Sequence, residues 1–125
     1  MKQLNLETGK YGESRAITYL TENSYTILEK NFKSIVGEID VICKHKEFIV
    51  FIEVKTRTFK FQEHPAEAIT PWKQRQIIKT ALCYIQEKKL WNNFFRFDVI
   101  SILFKNGKLE ISHIENAFEA DGYGF

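Results

Sequence analysis

Apolar residues follow two different periods along this chain, and the alternation between them sets out an order of elements. Over residues 4–23, Ala16, Ile17 and Leu20 recur at helical spacing, which predicts a first helix with Asn5 or Thr8 as its cap. Carried back one turn, that stripe meets Glu13, with Gly9 and Gly12 beside it to let a neighbouring backbone approach. Taken by itself, an acid at the margin of a stripe is ordinarily solvated. Residues 25–32 form a weakly patterned strand, followed by a turn at residues 34–36. In the next strand, residues 38–43, Glu38, Asp40 and Ile42 fall on one face and Ile39, Val41 and Cys43 on the other. After a turn at residues 44–47, the strand 48–57 sets Ile49, Phe51, Glu53, Lys55 and Arg57 against Phe48, Val50, Ile52 and Val54.

Residues 58–69, with His64 and Pro65, lack any period and read as a loop. Thr70 followed by Pro71 is a helix start, and the helix runs to Lys89 on a stripe of Ile78, Ala81, Leu82 and Ile85 that Trp72 and Ile77 broaden. Its first two turns carry Lys73, Arg75, Gln76 and Lys79, and this positive charge opposes the helix dipole. A strong strand over residues 94–104, an Asn106-Gly107 hairpin turn and a returning strand over residues 109–114 complete the pattern. The expectation is one domain over residues 1–125, α/β, with a central mixed sheet of about five strands flanked by helices.

Acids in the middle of apolar strands are the feature that calls for a chemical reason. A two-residue turn at Lys46 and Glu47 sets His45 opposite Phe48 and, counting outwards, Asp40 opposite Glu53; a longer turn would shift the pair to a diagonal. Two facing carboxylates repel, and a divalent cation removes the conflict. Mg²⁺ suits such a site because it takes few protein ligands and keeps several waters. Lys55 projects beside Glu53 and would orient an attacking water or stabilise charge growing on phosphorus. Glu13 would then face inward as a third ligand or as support for the other two. The competing account is a solvated strand face on which Glu53 and Lys55 pair to little effect.

Composition narrows the field. With 18 basic and 16 acidic side chains, the net charge of +2 announces no general affinity for nucleic acid, so any basic surface is local. Lys44, Lys46, Lys60, Lys73, Arg75 and Lys79 are the residues that would follow a phosphate backbone, although each singly is ordinary on a solvated face. Trp72 and Trp91 are candidates for stacking on bases, with packing as the commoner use. Cys43 and Cys83 belong to no metal or redox motif, and His45, His64 and His113 have neither zinc nor triad spacing. No leader or membrane-length apolar run is present, so the expected setting is cytoplasmic, without membrane partners. Asp98 reads as structural, paired with Arg96 or Arg57.

Asp40 followed by Glu53-Val54-Lys55, after a helix bearing Glu13, resembles the PD-(D/E)XK nuclease superfamily of restriction enzymes and Holliday-junction resolvases. More narrowly, Gly12-Glu13, Asn31, Gly37-Glu38-Ile39-Asp40, Glu53 to Arg57, Lys73, Arg96-Phe97-Asp98 and Asn116-Ala117-Phe118 are similar to the YraN family of small bacterial proteins, over almost the whole chain. This likeness implies a restriction-endonuclease-like core and a metal-dependent endonuclease that hydrolyses DNA phosphodiesters with a metal-activated water. Mg²⁺ is the implied cofactor, with Mn²⁺ as a substitute, on Asp40, Glu53 and Glu13; Lys55 is the implied catalytic lysine. Lys73, Arg57 and Arg75 are the expected nucleic-acid contacts, and a homodimer is the assembly with which such enzymes cut two strands. Ile39 stands where the superfamily name has Pro, and Ser24 where Gly is expected before Tyr25. The alternative is a non-catalytic nucleic-acid-binding module of the same fold, since fold alone does not certify activity. A protein-interaction scaffold, which the near-neutral charge permits, is a third.

Overall fold

A computed structural model describes residues 2–58 and 69–123, with side chains from residue 9 onward and, before the gap, as far as Arg57. Lys60, His64, Pro65 and most of the expected loop lie outside the described residues. The elements are α1 (Lys2–Glu22), β1 (Thr26–Lys33), β2 (Glu38–His45), β3 (Phe48–Thr58), α2 (Pro71–Lys88), β4 (Phe94–Lys105) and β5 (Lys108–Ile114). They form an α/β domain whose five-stranded sheet runs in sequence order, β1-β2-β3-β4-β5. Among the described residues only β3 and β4 are parallel, which makes the sheet mixed, and α2 is the crossover that parallel pairing requires. This is the arrangement of a restriction-endonuclease-like core.

Period-two alternation along β3 divides the core between the helices. Ile49 and Phe51 pack with Ile77, Ile78, Ala81, Tyr84 and Ile85 of α2, while Val50 and Ile52 pack with Ala16 and Leu20 of α1. Burying the sheet on both faces accounts for the nearly unbroken apolar runs of β3 and β4. No helix among the described residues is long and apolar enough to cross a membrane.

Local chemistry ends the elements where side chains can satisfy the backbone. Thr70 Oγ1 accepts from the Lys73 amide at 3.1 Å and Pro71 opens the helix, as expected. Asn106 and Gly107 both take positive φ, 51° and 74°, for the β4–β5 turn. Ser24, at φ 68°, stands where the family resemblance implied Gly, in a left-handed position that glycine would adopt freely. α1 begins at Lys2, so Asn5 and Thr8 lie inside it and not at its cap. On α2, Trp72 is 61% exposed and Leu82 only half-buried; Tyr84 and Thr80 take inward positions instead.

Gly12 does what its position suggested. A Cβ there would collide with the side chain of Thr56, so only glycine lets α1 lie this close to β3. Gly9 has open space around it and brings nothing close.

Candidate functional site

The β2–β3 hairpin has the two-residue turn at Lys46 and Glu47, with Lys46 at φ 55° in the place a glycine or asparagine would favour. His45 faces Phe48, and the register continues through Lys44–Ile49, Cys43–Val50 and Ile42–Phe51 to Val41–Ile52, where the ladder ends. One step further, Asp40 takes the place of backbone: its Oδ2 accepts from the Val54 amide at 2.8 Å. The carboxylate therefore sits in the opening where β2 and β3 part, held by a donor that would otherwise lack a strand partner.

The expected alternation in β2 fails at this point. Ile39 packs with the α2-side cluster and Val41 with the α1-side cluster, although strict alternation would place both on one face. Opposite the break, Asn31 of β1 adopts φ 52°, and β1 carries an irregularity between Ile27 and Glu29. Asparagine tolerates this conformation better than other strand residues do. The kink frees Asn31 to hydrogen-bond Glu13, and so joins edge strand β1 to α1 beside Asp40.

Glu53 lies within hydrogen-bonding reach of Asp40, with its side chain 11% exposed. Burial, the hydrogen bond with Asp40 and the negative charge of Asp40 push the Glu53 carboxyl from 4.5 up to about 8, against the pull of Lys73 and Lys55. Glu53 therefore keeps its proton near neutrality. Lys73 Nζ reaches to 3.6 Å from Glu53 Oε2, too far for a hydrogen bond, and that buried oxygen has no hydrogen-bond partner. Glu13 is half-buried, and its carboxyl is raised by burial and by the charges of Asp40 and Glu38, while Asn31 holds it down.

Asp40, Glu53, Lys55 and Lys73 are thus gathered into one grouping. Lys73, expected to face phosphate, pairs with Glu53 across the sheet–helix boundary, and no local sequence signal announced that pair. Glu13 stands beside the grouping without completing a trio: among the described residues, no three acidic, imidazole or thiol side chains converge as a metal cluster. Arg57 is half-buried two positions beyond Lys55 on β3, and Arg75 is exposed on α2, outside the grouping. A donor set of two adjacent carboxyl groups, with an unbonded buried oxygen 3.6 Å from Lys73, suits a divalent cation that takes two protein ligands and keeps its waters.

A second buried acid, Asp98, lies elsewhere on β4 and is fully satisfied. It accepts from Arg96 Nε and Nη2, both at 2.9 Å, from His113 Nε2 at 2.7 Å and from the Asn116 amide at 2.9 Å. Burial raises its carboxyl, but the hydrogen bonds from His113, Arg96 and Asn116 prevail and hold it below the usual range. Arg96 also donates to the Tyr25 hydroxyl at 2.6 Å, and His113 bonds the Tyr19 hydroxyl at 2.9 Å. Arg96, and not Arg57, is the partner, and the grouping ties α1, the residue before β1, β4, β5 and the residues after β5 together.

The family model described as "Uncharacterised protein family UPF0102" matches residues 12–102, a span that contains both groupings of charged residues except His113 and Asn116. A UPF0102 protein of Clostridium botulinum (strain Kyoto / Type A2) is 48% identical over 122 residues, covering 95% of this chain and 99% of its own length. A UPF0102 protein of Clostridium acetobutylicum is 43% identical over 121 residues, with the same coverage of 95% and 99%. One from Geobacter metallireducens is 47% identical over 115 residues, 92% of this chain and 94% of its own length.

Proposed function

Since the chain belongs to the uncharacterised protein family UPF0102, whose description names no reaction, its function has to come from the site, and we propose that it is a metal-dependent phosphodiesterase acting on DNA. The observation that carries this reading is the Asp40–Glu53 pair, in hydrogen-bonding reach of each other, with Glu53 Oε2 buried and without a hydrogen bond, Lys73 Nζ 3.6 Å away and the charge of Lys55 acting on the same carboxyl.

Asp40 and Glu53 are the residues that would hold Mg²⁺ or Mn²⁺. Once bound, the ion would polarise a phosphoryl oxygen and favour hydroxide over water at neutral pH. The remaining roles belong to this chain. Asp40 is fixed by the Val54 amide, so its carboxylate has a defined direction and needs no reorganisation during reaction. Lys55, close enough to lower the Glu53 carboxyl, orients water and stabilises charge that builds on phosphorus. Lys73, half-exposed at the mouth of the grouping, is free to move its ammonium from Glu53 to a phosphate oxygen when substrate enters. Glu13, bonded to Asn31, adds negative potential at Asp40 and so favours a cation there.

Cleavage of single-stranded, branched and blunt duplex DNA, and of RNA, is measured with Mg²⁺ or Mn²⁺ and with chelator. The wild-type protein is expected to cut in a metal-dependent manner, with Lys55→Ala and Asp40→Asn at least a hundredfold slower. Equal rates in all three proteins sink the assignment of roles. Salt-dependent binding without cleavage, unchanged by Lys55→Ala, identifies the non-catalytic module instead.

A further inference from the structure

Three apolar side chains stand in solvent at the end of the sheet where the acids lie. Trp72 is 61% exposed, Ile35 is 104% exposed and Tyr11 is 52% exposed. Trp72 is adjacent in sequence to Lys73, whose ammonium stands 3.6 Å from the Glu53 carboxylate. Ile35 sits at the tip of the turn between β1 and β2, and the foot of this turn is packed on α2: a Cβ on Gly37 would stand 2.9 Å from Thr80 Oγ1 and 3.7 Å from the Gln76 carbonyl. Gln76 lies one helical turn beyond Trp72, so the turn carrying Ile35 and the indole rise from neighbouring parts of one surface. Tyr11 approaches the same end from α1, between Gly12, which rests on Thr56, and Phe104 of β4, with ring centroids 5.9 Å apart.

We infer that Trp72 and Ile35 form a stacking and wedging rim for unpaired nucleobases, so that the substrate of the Asp40–Glu53 site is nucleic acid with opened or single-stranded bases and not continuous duplex. This inference rests on the phosphodiesterase reading. α2 already buries its inward stripe through Ile77, Ile78, Ala81, Tyr84 and Ile85, which leaves Trp72 with no role in the core. A continuous duplex hides the faces of its bases and offers an indole only phosphates, sugars and groove edges. A single strand offers a π-face at every nucleotide, and isoleucine is among the residues that other proteins drive between base steps. With a net charge of +2 the chain has little electrostatic attraction for a polyanion, and stacking supplies affinity where phosphate contacts are few. Lys73, Arg75 and Lys79 on the same helix add the local positive charge that a strand backbone needs.

The test is binding in chelator, where cleavage plays no part. Labelled oligonucleotides of equal length, as single strand, fork and blunt duplex, are titrated with wild-type protein and with Trp72→Ala, Trp72→Phe and Ile35→Ser. Single strand and fork are expected to bind more tightly than duplex. Trp72→Ala should weaken them by about five- to a hundredfold for one lost stacked base while moving duplex affinity by less than about twofold, and Trp72→Phe should restore most of the loss. Ile35→Ser should reduce the preference for fork over single strand. In a Trp91→Phe background, emission from Trp72 should be quenched by the single strand. Equal affinity for duplex and single strand, or a loss in Trp72→Ala that is the same on all three ligands, overturns the inference and leaves the phosphodiesterase reading standing. Absence of binding to any nucleic acid in chelator also overturns the inference, while the phosphodiesterase reading stands or falls on the metal-dependent cleavage assay.

Discussion

Without metal, the Asp40–Glu53 pair should make the protein less stable as pH rises, and replacing Glu53 should remove that dependence. A carboxyl raised from 4.5 to about 8 keeps its proton in the folded chain at pH values where the unfolded chain has lost it. The folded state is therefore favoured fully below about pH 4.5, and the advantage declines as pH climbs and is gone above about pH 8. At ~1.36 kcal/mol per unit, the shift corresponds to about 5 kcal/mol at most, the size of the whole stability of a small domain. Part of this is recovered when the ionised pair relaxes toward Lys55 and Lys73, so about 2 kcal/mol is the least that the reasoning requires. Urea midpoints in chelator, followed from about pH 5 to 9, measure it when wild type is compared with Glu53→Gln, because every other titrating group cancels in the difference. Wild type should lose its midpoint relative to Glu53→Gln, which keeps a neutral side chain throughout, steadily across this range. Asp40→Asn should show an intermediate slope, since it retains an oxygen for the Val54 amide but removes the charge that raises Glu53. Mn²⁺ should restore wild type at the alkaline end and leave Glu53→Gln unmoved. Parallel curves for wild type and Glu53→Gln would refute the claim that the pair is electrostatically frustrated, and with it the main support for a cation site.

Asp98 should behave in the opposite way. Asp98→Ala strands the buried Arg96 and is expected to cost about 3–5 kcal/mol by urea unfolding at neutral pH, and the stability that Asp98 contributes should fade only as pH falls below about 3.8. At Gly12, alanine meets the Thr56 side chain and should destabilise the protein by about 1–3 kcal/mol, whereas Gly9→Ala, in open space on the same helix, should stabilise it by about 0.5–1 kcal/mol in the same unfolding assay. Asn31→Gly should fold normally because φ 52° suits glycine, while Asn31→Val should lose about 1–3 kcal/mol; cross-strand amide exchange around Asp40 would report the local damage.

Most of this fold could be read in the sequence because its signals are local. The alternation of β3, the Thr70-Pro71 start of α2 and the Asn106-Gly107 turn each depend on residues close together in the chain. The acid pair was accessible for the same reason: once the turn at Lys46 and Glu47 is fixed, counting along both strands brings Asp40 to Glu53. What escaped was non-local. The break in alternation at Asp40 depends on Asn31 in another strand, and the Lys73–Glu53 contact depends on how α2 docks. An asparagine inside an otherwise strand-forming stretch was the available hint of the first, since Asn is depleted in strands and tolerant of positive φ. Trp72 was assigned to the core stripe by spacing and lies in solvent, because hydrophobicity at a helical interval does not say how wide a face the neighbouring sheet covers.

The comparison between the two buried acids is the firmest route from this geometry to function. Both sit on central strands under apolar cover, and folding had the same problem with each: an ionised carboxylate out of water is costly unless donors surround it. At Asp98 the chain supplies them in full, from Arg96, His113 and the Asn116 amide, and the carboxyl falls below its ordinary range. At Glu53 the chain supplies a second acid instead of a donor, leaves one oxygen without a hydrogen bond, holds the nearest ammonium at 3.6 Å and lets the carboxyl rise to about 8. A glutamine at position 53, with an amide to donate to Asp40, would relieve the repulsion without altering the side chain's size. The same sheet therefore contains a solved and an unsolved version of one electrostatic problem, and the unsolved one lies where the hairpin opens, beside Lys55 and Lys73. Frustration of this kind is useful to a protein that binds a cation there, because the missing charge compensation arrives with the ligand.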